Sequence, residues 1–243
     1  MMDSLPYGYT AAVLGATGGL GAALIGHLAQ DRRCGRLVGL SRSGRAPAPA
    51  EAMAADLTDE ASLADAAARL AAGPPLGLVV LATGYLHGPA GGPEKSLRQI
   101  GPAAMAHAFA VNATGPALAA KHLLPLLPRR RRAIFAALSA RVGSISDNRS
   151  GGWYGYRASK AALNQVLRCL AIETARTRPL AVIAGLQPGT VATGLSAPFR
   201  GGLGAGAVFA PRDAAGHLLG VLDRLGPAES GRVFDWRGAE VPP

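Results

Sequence analysis

Short apolar runs at 11–14, 36–40, 76–82, 133–138 and 180–186 alternate with Ala/Leu-rich stretches of helical length near 19–30, 58–72, 102–125 and 153–177. This alternation constrains the fold more than any other feature. Strands joined by helix-length crossovers pair in parallel, and a parallel sheet needs helices on both faces to keep its apolar runs from water. A weaker run at 51–56 and a closing run at 232–236, after a helical stretch near 212–225, bring the expectation to about seven strands. The Pro/Gly-rich pieces at 43–50, 87–93 and 194–207 interrupt one rhythm and are loop-sized, so they are not linkers between units. The expected fold class is α/β: a doubly wound parallel sheet in a single domain over residues 1–243. With 49% hydrophobic and 16% charged residues, such a chain buries enough surface to offset its ordering entropy. No internal repeat is present, and the abundant alanines fall at helical positions, where their propensity accounts for them.

Charge and cysteine usage narrow the setting. The net charge of +10 fits either a nucleic acid or a small polyanionic partner. Its densest cluster, Arg129, Arg130, Arg131 and Arg132, precedes an apolar run without any nucleic-acid motif, so it reads as a helix cap and a solvated loop. A nucleic-acid partner is not expected. Cys34 and Cys169 lack ligand or disulfide spacing, and Cys169 reads as a small core residue. The five histidines, His27, His87, His107, His122 and His217, are scattered, so no metal is expected. The apolar stretch at 11–28 is broken by five glycines and follows no basic segment, which points to a cytoplasmic protein without a membrane span.

Gly15-Ala16-Thr17-Gly18-Gly19-Leu20-Gly21 follows the first apolar run and opens the first helix, the context in which glycines cradle a dinucleotide. Glycine permits a tight turn and a close approach to pyrophosphate, while the helix N-terminus presents unpaired N–H groups and a positive dipole end. About twenty residues further on, where an acidic residue would meet the ribose 2′-hydroxyl of NAD, the chain has Ser41-Arg42. A guanidinium and a hydroxyl there suit a 2′-phosphate, so NADP (NADPH) is favoured over NAD. Arg45 lies close by, and a solvated loop arginine is the competing reading. Asp56 and Leu57, after the third strand, fall at the expected adenine position; Asp56 would accept from the adenine amino group and is also an N-cap candidate for 58–72.

Tyr156 and Lys160 lie four apart in a helical stretch, which stacks phenol and ammonium on one face. A nearby cation favours phenolate and brings a tyrosine toward the range useful for proton exchange with a substrate oxygen. Tyr154 lacks this arrangement, since Ala158 stands four residues on.

From about Thr10 to Trp236 these residues resemble the short-chain dehydrogenase/reductase family, a single-domain Rossmann fold. Three motifs fall in family order: Gly15, Gly19 and Gly21; Tyr156 and Lys160; and Pro188-Gly189-Thr190 with Val191 and Thr193. The stretch from Ser139 to Ile145, Gly151-Gly152-Trp153, the residues from Tyr156 to Asn164 and Phe234-Asp235-Trp236 are similar to the C-factor subgroup of bacterial cell-cell signalling proteins. The resemblance implies hydride transfer between a nicotinamide and a carbonyl or secondary-alcohol substrate. Tyr156 would be the general acid/base, and Lys160 would hold the nicotinamide ribose while lowering the tyrosine pKa. Asn112 would connect the lysine to a water relay. Ala82, Thr83 and Gly84 would line the cofactor, and Pro188, Gly189, Thr190, Val191 and Thr193 would border the nicotinamide. The segment 194–210 would be a substrate lid, and pairing through 102–125 and 153–177 would give homodimers or homotetramers.

Two departures stand out. Leu81-Ala82-Thr83-Gly84 lacks the family's asparagines, and Ala140 occupies the usual position of the substrate-orienting serine. Three alternatives remain open for that serine: Ser139 through a local bulge, Ser144 from the following loop, or a site that runs on the tyrosine alone. A nucleotide-binding signalling or interaction protein with little turnover is the competing reading of the whole chain.

Overall fold

All six residues of β1 (Tyr9–Leu14) are buried, and they alternate between two cores: Ala12 and Leu14 face one side of the sheet, Ala11 and Val13 the other. Burial on both faces is why such a strand reads as an uninterrupted apolar run. The computed structural model describes residues 2–88, 91–202, 204 and 206–243. After β1 come α1 (Gly19–Leu28), β2 (Cys34–Ser41), β3 (Glu51–Ala54), α2 (Glu60–Ala71), β4 (Leu76–Leu81), α3 (Pro102–Phe109) and α4 (Gly115–Leu123). The chain continues through β5 (Ala133–Leu138), α5 (Tyr154–Ala175), β6 (Ala181–Gln187), the two-residue β7 (Thr190–Val191) and β8 (Val208–Phe209), α6 (Pro211–Arg224) and β9 (Arg232–Asp235).

Seven strands form one parallel sheet in the order β3-β2-β1-β4-β5-β6-β9, while β7 and β8 form a separate pair. The doubly wound Rossmann architecture expected from the sequence is thus present. Leu24 and Ile25 of α1 and Leu218 and Leu222 of α6 fill one core; Leu63 of α2, Leu123 of α4 and Leu163 and Leu167 of α5 fill the other. The strand order reverses between β1 and β4, and the crevice beyond their carboxyl ends is where ligands bind in such sheets.

Three local expectations change. The N-cap of α2 is Asp59, whose carboxylate accepts from the N–H groups of Ala61 and Ser62, while Asp56 closes a tight turn by accepting from the N–H and hydroxyl of Thr58. The stretch 102–125 is not one helix: a π-helical turn at Ala110–Thr114 separates α3 from α4, with the Gly115 N–H reaching back to Ala110. Pro116 explains the break, since it has no N–H to offer the Asn112 carbonyl four residues earlier. Cys169 is exposed and not a core residue, because Leu163, Leu167 and Ala171 define the buried face of α5 and Cys169 lies some 200° around the helix from Leu167.

The arginine cluster splits by burial. Arg129, Arg130 and Arg131 are exposed, but Arg132 is half-buried and caps the C-terminal end of α6, donating to the carbonyls of Leu222, Asp223 and Leu225 and to the Ser4 hydroxyl. Burial pushes its pKa down against the opposing pull of Asp223. Arg132→Ala should therefore lower unfolding stability by about 2–3 kcal/mol, the scale of lost charge-assisted hydrogen bonds, whereas Arg130→Ala should stay within about 0.5 kcal/mol. Urea denaturation of both variants checks this; equal effects would contradict it.

Candidate functional site

The glycine turn forms one wall of a cleft of about 550 Å3 at the carboxyl ends of β1, β4, β5 and β6. Gly15 has φ +84°, and a Cβ there would lie 2.7 Å from the Ala82 carbonyl. A methyl at Gly21 would collide with the Gly15 carbonyl, so these two glycines set how closely α1 meets the sheet. The α1 N-cap, Gly18, offers no side-chain bond, and the first turn carries no acid; Gly18, Gly19 and Leu20 line the cleft with the helix's positive end. Thr193 closes over this turn, 2.9 Å from where a Gly19 Cβ would stand. Thr17 is exposed beside it.

At the far end of the turn, Arg42 and Arg45 are exposed, and among the described residues neither forms an ion pair with a carboxylate. The Ser41 hydroxyl does not point its proton outward as expected. It donates to the Arg45 carbonyl at 2.6 Å and accepts from the Arg45 N–H, so it shapes the turn that presents the two arginines. Leu57 is buried against Gly115, where a Cβ would approach its side chain to 2.6 Å. Asp56 keeps one carboxylate oxygen on Thr58.

In the cleft itself, Tyr156 and Lys160 lie one turn apart on α5, with the ammonium 5.9 Å from the ring centre. Lys160 is buried and donates to the Leu138 carbonyl at 2.7 Å, tying α5 to the end of β5. Burial pushes the Tyr156 phenol up to about 12 and the Lys160 ammonium down to about 7. The expected lowering of the tyrosine by the lysine is not seen: desolvation is the cause acting on both groups, on a buried Lys160 and a half-buried Tyr156. Asn112, buried in the π-helical turn, donates to the Tyr85 carbonyl and the Ser159 hydroxyl and accepts from the Tyr85 N–H. Its side chain clamps the segment after β4 to α5.

Both serine alternatives have hydroxyls engaged elsewhere. Ser139 lines the cleft but donates to Asn164 Oδ1 at 2.6 Å, and Ser144 bonds the Pro243 carbonyl and the Asp147 N–H. Ala140, also on the cleft wall, carries no hydroxyl. Ala82, Thr83, Gly84, Pro188, Gly189, Thr190, Val191 and Thr193 all line the cleft. Of the expected lid at 194–210, Leu203 and Ala205 lie outside the described residues; Gly194, Leu195, Ser196 and Phe199 contribute to the wall.

Sequence reasoning missed Glu94. Its buried carboxylate accepts from the Gly155 N–H at the start of α5, and its carbonyl accepts from the Trp153 N–H. It serves as the cap that Trp153, at the N-cap position, does not supply. Gly151-Gly152 was the available signal of an unusual helix entry; nothing local connects it to a residue nearly sixty positions earlier.

The Lys160 shift has a stability consequence. Between about pH 7 and 10.5 the unfolded chain holds the lysine proton and the folded one does not, so this group makes stability rise with pH across that window. Tyr156 acts oppositely above pH 10, where only the folded state keeps its proton. In nucleotide-free protein, the stability difference between wild type and Lys160→Met should thus shift in favour of wild type from pH 7 to pH 10. Denaturation curves at three pH values across this range check it, and a flat difference would contradict it.

The short chain dehydrogenase family model matches residues 9–202. The C-signal of Myxococcus xanthus is 36% identical over 138 residues, covering 57% of this chain and 78% of that protein. The 1-hydroxy-2-glutathionyl-2-methyl-3-butene dehydrogenase of Rhodococcus sp. (strain AD45) is 37% identical over 122 residues, 50% of this chain and 51% of that protein, so the match spans about half of it. Among solved structures, the NADPH-bound carbonyl reductase from chicken fatty liver superposes with a TM-score of 0.84 at 22% identity, covering 99% of this chain and 96% of that one. A short-chain dehydrogenase/reductase from Burkholderia multivorans with bound NADP gives 0.78 at 27% identity, covering 96% and 99%. With the family model matched over residues 9–202 and this strand order, the chain belongs to the short chain dehydrogenase family of oxidoreductases and is similar within it to the C-signal protein.

Proposed function

We propose that the protein is an NADP-dependent oxidoreductase acting on a carbonyl or secondary-alcohol substrate, with Tyr156 exchanging a proton with the substrate oxygen. The observation that carries this reading is the convergence of four distant segments on one cleft: the glycine turn, Ala82-Thr83-Gly84, the Tyr156/Lys160 pair and Pro188-Gly189-Thr190. The residues present fit a dinucleotide. Gly15 and Gly19 bring the turn closer to Ala82 and Thr193 than a Cβ would allow, and the N-terminus of α1 is open and without an acid. Gly18, Gly19 and Leu20 would hold the pyrophosphate, Arg42 with Arg45 the 2′-phosphate, Asp56 the adenine amino group, and Lys160 the nicotinamide ribose. When bound, the cofactor supplies or accepts the hydride at its nicotinamide C4.

Tyr156 holds its proton up to about pH 12, so at neutral pH it donates to a carbonyl oxygen that is gaining charge. Lys160, charged again once an anionic ligand shares its surroundings, would bring the phenol back toward neutrality for the reverse step. Asn112 braces this pair through Ser159 and Tyr85, and its carbonyl, deprived of an α-helical donor by Pro116, is the group we assign to the water relay. The 2′-phosphate preference favours reduction in the cell, and we place the enzyme in the cytoplasm; no helix among the described residues is long and apolar enough to cross a membrane. Self-association would use the outer faces of the stretches 102–125 (α3 and α4) and 153–177 (α5), where Ile172 is half exposed.

A second reading, a nucleotide-binding signalling protein with little turnover, draws on Ala140 and on the Ser139 hydroxyl held by Asn164. Fluorescence titration with NADPH and NADH, alongside a carbonyl panel, separates the two. NADPH should bind more tightly than NADH, and Arg42→Ala should weaken NADPH by about tenfold to a hundredfold while sparing NADH, the scale of one charge-assisted contact. Tyr156→Phe should lower kcat by about 10²–10⁴-fold with NADPH affinity within about twofold. Tight NADPH binding without any turnover would favour the signalling reading; no binding of either nucleotide would overturn both.

A further inference from the structure

Trp153 is the one non-glycine residue with positive φ (52°) among the described residues, and it follows two glycines in the same left-handed region, Gly151 (φ 61°) and Gly152 (φ 62°). A bulky aromatic residue disfavours that backbone, so something must hold it there. Two neighbours do. The Glu94 carbonyl accepts the Trp153 N–H, and Arg157 Nε donates to the carbonyls of Gly151 and Gly152. The turn is thus braced from both sides, with an indole at a position that a third glycine would occupy without strain.

The held ring faces the cleft. Its centre lies 6.2 Å from the Tyr156 ring and 5.1 Å from the Phe199 ring, both tilted against it, and all three line the cavity. Phe199 is presented by the segment after β7, which His87 secures: Nε2 lies 3.3 Å from the Gly194 carbonyl and 3.1 Å from that of Leu195, and the imidazole packs on Phe199 at 5.6 Å. Leu86, Val142 and Leu195 complete an apolar wall around the phenol. A ring face beside the proton donor, with a second aromatic edge and aliphatic surroundings, recognises a flat apolar group far better than a small or charged one.

We propose that Trp153 is the specificity-determining residue of the site, and that with Phe199 it holds a planar apolar group, aromatic or conjugated, attached to the carbonyl that Tyr156 protonates. The proposal rests on the carbonyl-reductase reading of the cleft. In reduction the substrate's C=O π bond breaks as hydride adds to its carbon, and the oxygen takes the Tyr156 proton; Trp153 takes no part in these bond changes and acts by binding the attached group.

The test compares 2-naphthaldehyde with propanal, both reduced with NADPH, in wild type, Trp153→Gly and Trp153→Phe. Glycine keeps the left-handed turn and relieves its strain, so a folding defect does not confound the loss of the ring. The ratio of kcat/KM for the naphthyl over the propyl substrate should fall by about tenfold or more in Trp153→Gly, mainly through KM, and largely recover in Trp153→Phe. A ratio unchanged in Trp153→Gly would overturn the proposal. Should wild type reduce neither aldehyde, the enzymatic reading fails alone, and calorimetric titration with 2-naphthylmethanol decides the present point: binding by wild type that Trp153→Gly loses supports it, and equal or absent binding in both sinks it.

Discussion

The site depends on how closely the start of α1 approaches the ends of β1 and β4. Gly15 meets the Ala82 carbonyl where no Cβ would fit, and Gly21 meets Gly15 in the same way. That contact brings the helix's open N-terminus to the point where the strand order reverses, so one steric constraint fixes both the position and the sign of the field in the cleft. Side chains at either position would push α1 outward and separate the unpaired N–H groups from the opposite wall, which Thr193 supplies.

The opposite side of the cleft is held by α5, whose first turns add buried polar bonds to the apolar packing of Leu163 and Leu167. Lys160 bonds the Leu138 carbonyl, Ser159 meets Asn112, and the Glu94 carboxylate caps the first turn. Each bond ties the helix to a different segment: β5, the π-helical turn and the loop before α3. Buried bonds of this kind are costly to leave unmade, so they define one position of the Tyr156 ring more sharply than apolar packing alone. The same burial moves Tyr156 and Lys160 in opposite directions from their ordinary values. The positioning of the pair and its titration are therefore consequences of one environment.

Most of the fold was legible in the sequence because parallel strands buried on both faces leave uninterrupted apolar runs; 133–138 coincides with β5 to the residue, the other six strands of the sheet differ only at their ends, and the two-residue β7 and β8 are too short to leave a run. The errors fell where hydrogen bonding overrides pattern. The stretch 102–125 has helical composition throughout, yet Pro116 and the π-helical turn divide it. Asp56 and Asp59 are equivalent as letters, and only the bonds to Ala61 and Ser62 select Asp59 as the cap. The bonds that the Ser41 and Ser139 hydroxyls make, within a turn and to Asn164, have no local signal either.

The sequence by itself determined the sheet, its order of motifs, the glycine turn and the four-residue spacing of Tyr156 and Lys160, since each is written in local periodicity or in a backbone requirement that only glycine meets. Tertiary structure alone decided that Glu94 caps α5, that Arg132 caps α6, and that Trp153, Phe199 and His87 converge on one wall of the cleft. These partners are separated by tens of residues or more. Their meeting depends on how layers pack, and no local pattern encodes the distance between two segments that the fold brings together.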